Sequence, residues 1–413
     1  MRRVHVIGAG LAGLAAALRL SEAGIETHLH EATARAGGRA WSFHDAATNR
    51  LVDNGNHLIL SGNAGALAHC GRIGSRHMLE IAPRAALPFL DLASGARWRF
   101  ALPDGLSGLW RDLRLPPGAA LTLGPDLARL MRAGPGVTVA QAIPGRGAAW
   151  TRLWEPLTLA ILNAPPEHAA AQPLAATLRQ SALRGGRACH PVTLPRGLGP
   201  TLVDPALALL ARRGVTLNAR RPLTGLESGA RLTALRFGEE LVTLGPDDAA
   251  ILALPQEAAA PLLGLAPRPG APILNAHFRV DPALAATLPP ILGLVSGLSH
   301  WLFTRDDVVS VTISAADACL AAQGLGDADR AALTARIWAD VARALGTDAP
   351  PLAARLVRAR AATADPSPAA RAARPDPRPL PNLMLAGGWL DPVLPDTIEA
   401  ALLSGRAAGA AFA

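Results

Sequence analysis

The chain has 413 residues, half of them hydrophobic, and a net charge of +8 carried by arginine alone, with neither lysine nor tyrosine. The length supplies two or three domains' worth of core, and the composition excludes a disordered or collagen-like chain. The arginines are scattered with no basic run, which argues against nucleic acid and leaves attraction to an anionic membrane surface as one use of the charge.

Met1-Arg2-Arg3 ahead of an apolar run over 6–18 has the outline of a secretory leader. The glycines inside that run and Glu31 beyond it would be idle in a leader, so the start reads instead as strand 4–7, turn 8–13, helix 11–23 stopped by Gly24, and strand 25–30. The connection makes the two strands parallel. Residues 76–195 are dense in Pro, Gly and aromatics, with a hairpin expected at 89–92 and 97–102 and helices at 119–133 and 149–163. Beyond 196 come helix 199–213, strands 215–218, 231–237 and 240–244, and an apolar strand 249–254 closed by Pro255. Strands 273–280 and 308–314 precede a helix over 327–345. A Pro/Arg-rich exposed loop is expected at 365–381, then strand 382–386 and helix 397–412. The implied organisation is a discontinuous nucleotide-binding domain (1–75, 196–268, 356–413) interleaved with a substrate domain (76–195, 269–355). No stretch reaches the ~18 uninterrupted apolar residues of a spanning helix. Cys70, Cys189 and Cys319 lie far apart, which excludes a disulfide scaffold, a cysteine zinc site and an iron–sulfur cluster, and fits a reducing cytosol. No metal site is expected.

Four motifs carry chemistry. Gly8-Ala9-Gly10-Leu11-Ala12-Gly13 is a G-x-G-x-x-G between strand and helix: Gly8 for the tight turn, Gly10 for close approach of a pyrophosphate, Gly13 for helix–strand packing. Glu31, about 20 residues on, would accept the ribose hydroxyls. Gly37-Gly38-Arg39 supplies a second glycine passage and a charged fork for phosphate. In Asp53-Asn54-Gly55-Asn56-His57, His57 is a candidate proton donor because imidazole titrates near neutrality. Gly387-Gly388-Trp389, then Asp396-Thr397-Ile398, reads as a strand ending in glycines and a capped helix whose positive end would stabilise negative charge on a bound group.

The G-x-G-x-x-G, Glu31 and G-G-R series resembles the FAD-binding start of the flavin amine oxidase and phytoene desaturase superfamily. With the 53–63 run, Gly186-Arg187-Ala188-Cys189, Val203-Asp204-Pro205-Ala206, Asn275-Ala276-His277-Phe278, Ser314-Ala315-Ala316-Asp317 and Leu394-Pro395-Asp396-Thr397-Ile398-Glu399, nearly the whole chain is similar to the squalene-associated FAD-dependent desaturase family. The resemblance implies an α/β fold, a Rossmann-like FAD-binding domain with an interleaved α+β substrate domain of glutathione-reductase-like, amine oxidase type. It implies reduction of hydroxysqualene to squalene by reduced FAD, and cofactor contacts that include Asn56 and Leu223.

A C30 isoprenoid substrate needs an apolar lining, for which Phe89, Trp154, Phe278, Trp301 and Phe303 are suited. The acid that protonates the leaving hydroxyl is sought among His57, His277, Asp391 and Asp53. The family carries Gly-Asp-Trp where this chain has Gly387-Gly388-Trp389, with Asp391, two residues further on, as the candidate replacement. An amine oxidase would use a lysine and a tyrosine cage, and this chain has neither residue. A phytoene or carotenoid desaturase and a membrane-surface isoprenoid-binding protein are the alternatives. No second glycine fingerprint is placed for NADPH, so the sequence does not name the electron donor.

Overall fold

Val4, Val6 and Ile7 are buried because the strand that holds them, Arg3–Ile7, is central in a five-stranded sheet covered on both faces. In the computed structural model, which describes residues 3–317 and 327–413, that sheet runs Thr216–Asn218, Glu26–His30, Arg3–Ile7, Ala249–Leu252, Leu383–Leu385, parallel throughout. Met1, Arg2 and Cys319 lie outside the described residues. The strands come from three separated stretches of chain, as parallel pairing requires crossovers. Helices Leu11–Glu22, Asp204–Arg212 and Ile398–Ala410 cover one face through Leu14, Leu18, Ala206 and Leu402. The antiparallel sheet Gly225–Ser228, Leu232–Phe237, Glu240–Thr243 covers the other through Leu235 and Phe237.

A second sheet has seven strands, in the order Ala353–Thr363, Ala271–Arg279, Val308–Ile313, Trp301–Arg305, Ile291–Val295, Ala85–Asp91, Arg97–Leu102. The first of these pairs with Ala271–Arg279 as far as Thr363, so a domain break at 355/356 falls inside a strand. Side chains alternate across a sheet. Leu274, Ala276, Phe278, Leu302, Val309 and Val311 therefore share the face packed on helix Asp327–Leu345, through Ile337 and Val341. Asn275, His277, Trp301, Phe303, Ser310 and Thr312 occupy the opposite face.

Two expected helices are split. Wide π turns at Trp150–Trp154 and Gly199–Val203 precede Glu155–Leu162 and Asp204–Arg212. Pro156 and Pro205 each remove an N–H from the regular ladder there. The expected loop 365–381 contains a short helix, Pro368–Ala372, started by Ser367, whose Oγ accepts the Ala370 N–H at 3.2 Å. Among the described residues no helix is long and apolar enough to cross a membrane, and no group of three or more His, Cys, Asp or Glu could hold a metal ion.

Candidate active site

The first strand ends at Gly8, whose φ of +101° turns the chain sharply. A Cβ at Gly8 would lie 2.4 Å from the Ala253 carbonyl oxygen, and one at Gly13 only 1.8 Å from that of Gly8, so both glycines serve packing. Gly10 differs: its missing Cβ would meet only Gly38 Cα, at 3.9 Å. A Cβ at Gly38 would come within 3.2 Å of Gly10 Cα, so the two loops pass closely and leave a side-chain-free notch, and the Gly37 N–H donates to Ala9 O at 2.8 Å to hold them together. Helix Leu11–Glu22 starts beside this notch with no side-chain cap and no acidic residue in its first turn. Leu11 and Ala12 bury their side chains and offer backbone N–H groups at the positive end of the dipole. Glu31 is buried next to the turn: Oε2 accepts the Ala9 N–H at 3.0 Å, and Oε1 accepts the Thr33 N–H and hydroxyl, both at 2.9 Å. Leu223 is half-buried between the two sheets of this domain, and the nearby Arg221 N–H donates to Glu31 O at 2.9 Å.

Arg39 is paired. Its Nη1 donates to Asp396 Oδ2 and to Ala362 O, both at 2.7 Å, and Nη2 to Asp396 Oδ1 at 3.1 Å. The Asp396 carboxylate holds the guanidinium more firmly charged than usual. The chain reaches this point from strand Leu383–Leu385 through Gly387, whose N–H donates to Ser404 Oγ at 3.0 Å, and Gly388. Thr397 caps the last helix, its Oγ1 accepting the Ala400 N–H at 3.3 Å, and Ile398 opens that helix half-buried. That helix lies against the first one: Cβ atoms at Gly405 and Gly409 would fall 1.9 Å from Ala12 O and 2.7 Å from Ala16 O. The matching order makes the two helices parallel, and at 1.5 Å rise per residue the last helix projects about 9 Å further than the first. Two helix N-termini therefore face the same cleft at different depths.

The 53–57 loop borders the seven-stranded sheet. Asp53 is fully engaged: Oδ1 accepts the Ser42 hydroxyl at 2.5 Å and the Leu198 N–H at 2.9 Å, and Oδ2 accepts Arg305 at 3.1 Å. It builds the loop and has no oxygen free to deliver a proton. Asn56 Nδ2 donates to Thr312 Oγ1 at 3.0 Å, that hydroxyl to Asn275 Oδ1 at 3.0 Å, and Asn275 Nδ2 to Asn54 O at 3.3 Å. This relay of amides and a hydroxyl fastens the loop to the sheet. His57 Nδ1–H donates to Gly55 O at 3.1 Å, which leaves Nε2 as the free nitrogen. Burial lowers its pKa, and the Gly55 carbonyl opposes that.

His277, expected as an alternative acid, has no accessible surface. Its Nδ1 meets Ser310 Oγ at 2.8 Å, and burial pushes its pKa down to about 4. It is neutral near pH 7 and shut away from the cleft, so it cannot hand a proton to a bound molecule. Asp391 serves its own turn, Oδ1 accepting the N–H groups of Val393 and Leu394 at 2.8 and 2.7 Å. The expected aromatic lining divides. Phe89, Trp301 and Phe303 cluster with Leu58, next to His57, and Phe89 meets the Trp301 ring edge-on at 5.4 Å between centroids. Phe278 stands at even spacing from Leu274 and so falls on the other face, against Trp338 at 5.2 Å. Trp154 is core of the helical region, its Nε1–H donating to Asp126 Oδ2 at 3.2 Å. Neither lines the cleft. Asn275 and Thr312 are not among the expected site residues, and Asp396, expected with Thr397 to cap the last helix, instead pairs with Arg39 while Thr397 alone caps.

These residues fit a dinucleotide cofactor: a side-chain-free notch, an uncapped helix N-terminus, a buried carboxylate at the end of the second strand, and a second helix start deeper in the cleft. Residues 11–411 match the family described as flavin containing amine oxidoreductase. The hydroxysqualene dehydroxylase of Sinorhizobium fredii (strain NBRC 101917 / NGR234) is 41% identical over 415 residues, 98% of this chain and 97% of that protein. That of Rhodopseudomonas palustris (strain ATCC BAA-98 / CGA009) is 42% identical over 420 residues, again 98% and 97%. Cyclohexylamine oxidase from Brevibacterium oxydans IH-35A shares the fold, with a TM-score of 0.72 over 100% of this chain and 98% of its own at 16% identity. On the near-complete family match and the end-to-end identity to these relatives, the chain belongs to the flavin-containing amine oxidoreductases.

Proposed function

We propose that this chain reduces hydroxysqualene to squalene: a C–O bond breaks, a C–H bond forms, and the hydroxyl leaves with one proton as water. The notch at Gly10 and Gly38, the helix starts at Leu11 and Ile398, and Glu31 would hold FAD, whose reduced form would supply the hydride. The observation that carries the reading is the division of one sheet face, with Asn275, Ser310 and Thr312 at its polar end, Phe89, Trp301 and Phe303 at its apolar end, and His57-Leu58 at the seam. End-to-end likeness to two hydroxysqualene dehydroxylases supports the substrate.

His57 is the proton donor in this reading. Its Nδ1–H is fixed on Gly55 O, so in the imidazolium the transferable proton sits on Nε2. Burial makes that imidazolium a stronger acid but less populated near pH 7, so proton donation gains as pH falls. The Phe89, Trp301 and Phe303 side excludes water, which would otherwise recapture the carbon that loses its hydroxyl. The substrate is lipid-soluble, and the net charge of +8 favours peripheral docking on an anionic membrane face. A separate electron donor reloads the flavin.

The test is anaerobic. Holoprotein reduced with dithionite and freed of excess reductant should regain the oxidised flavin spectrum on addition of hydroxysqualene. A spectrum that stays reduced overturns the reading.

A further inference from the structure

We infer that Asp396 is the carboxylate that positions the Arg39 guanidinium for the cofactor diphosphate, in the space left by Gly388; this rests on the FAD reading above. A Cβ at Gly388 would lie 2.5 Å from Asp396 Oδ1 and 3.2 Å from both N and O of Thr397. The Asp396 carboxylate therefore fills the side-chain space of position 388, and a side chain at 388 and this carboxylate exclude each other. The residue nearer in sequence, Asp391, is committed to its own turn.

Asp396 is held rigidly. Its side chain is 6% exposed, and Oδ2 accepts the Ala364 N–H at 3.0 Å as well as Arg39 Nη1 at 2.7 Å. It grips Arg39 end-on through both terminal nitrogens, and Ala362 O takes the other Nη1 proton at 2.7 Å. A guanidinium carries five N–H donors in a planar fork. Three are used here, which leaves the Nε–H and one Nη2–H, side by side on the other edge of the plane. That edge can grip a second anion in bidentate fashion. Arg39 directly follows Gly37 and Gly38, the glycines opposite Gly10, and its side chain remains 41% exposed while paired. The free edge thus belongs to the loop that borders the notch for the diphosphate. With Asp396 removed, the guanidinium loses the partner that fixes its plane.

The test measures FAD affinity of the full chain by quenching of flavin fluorescence, alongside circular dichroism of each variant. Asp396→Asn retains the size of the side chain and an acceptor for Ala364 but removes the charge. It should weaken FAD by about tenfold or more. In the Arg39→Ala background the same substitution should add nothing, because its effect runs through Arg39. Moving the carboxylate back, in Gly388→Asp/Asp396→Gly, should bring affinity to within about threefold of the unmodified chain. If Asp396→Asn does not fold, this double variant decides: near-normal affinity supports the proposal, and loss of FAD overturns it. Wild-type affinity in a folded Asp396→Asn, or an equal loss with and without Arg39, also overturns it while the flavin reading stands. An unmodified chain that binds no FAD overturns both.

Discussion

The Ala9 N–H, inside the glycine turn, donates to Oε2 of Glu31, at the end of the neighbouring strand, at 3.0 Å. One carboxylate therefore ties the turn to the second strand while its other oxygen holds Thr33. Glu31→Ala leaves the buried Ala9 N–H without a partner, at about 1–3 kcal/mol in stability. FAD affinity should fall with it, and Glu31→Gln, which still accepts hydrogen bonds, should do less harm. Thermal melts with and without FAD check both.

Gly10 and Gly13 belong to one motif but should respond differently. A Cβ at Gly13 would stand 1.8 Å from Gly8 O, so Gly13→Ala should fail to give folded protein or lower its melting temperature severely. At Gly10 the nearest atom to a Cβ is 3.9 Å away, so Gly10→Ala should cost about 0.5 kcal/mol in stability. Its methyl group fills the notch, and the loss should appear in FAD binding. Chemical denaturation beside flavin titration separates the two outcomes.

Much of this cofactor end was legible in the sequence because its signals are local. A β-branched run, a glycine turn and an Ala/Leu helix lie within 30 residues, and the side chain that answers them, Glu31, follows at once. Asp396 was not legible in the same way. Its partners Arg39, Ala362 and Ala364 come from two other stretches of chain, and only folding brings its carboxylate into the space of Gly388. The lining aromatics show a related limit. Phe278 and Trp301 look alike in a linear reading, and what separates them is which sheet face helix Asp327–Leu345 covers.

His5 and His30 pack side by side on the central strands, Nδ1 to Nε2 at 3.1 Å. Burial pushes their pKa values down to about 4 and about 3, from 6.5. The fold therefore holds them neutral, while the unfolded chain takes up protons below 6.5. Their contribution to stability is full above that pH, declines as pH falls, and levels off near the folded values. Urea midpoints should drop between about pH 7.5 and about pH 5, and less so in His5→Gln.

His57→Gln should leave the FAD spectrum unchanged and slow squalene formation by about 10²–10⁴-fold. The acid form is the active one and burial lowers its pKa, so the rate of the unmodified protein should rise as pH falls below 6.5. In His57→Gln that rise should vanish. Initial rates across a pH series, on protein shown to remain folded, provide the comparison.

The most direct measurement offers the purified holoprotein, in its reduced and oxidised forms, a mixture of hydroxysqualene and phytoene, and identifies products by mass spectrometry. The account predicts squalene, hydroxysqualene minus one oxygen atom, from the reduced form alone and unchanged phytoene in both. Loss of hydrogen from phytoene by the oxidised form, with hydroxysqualene untouched, would contradict it.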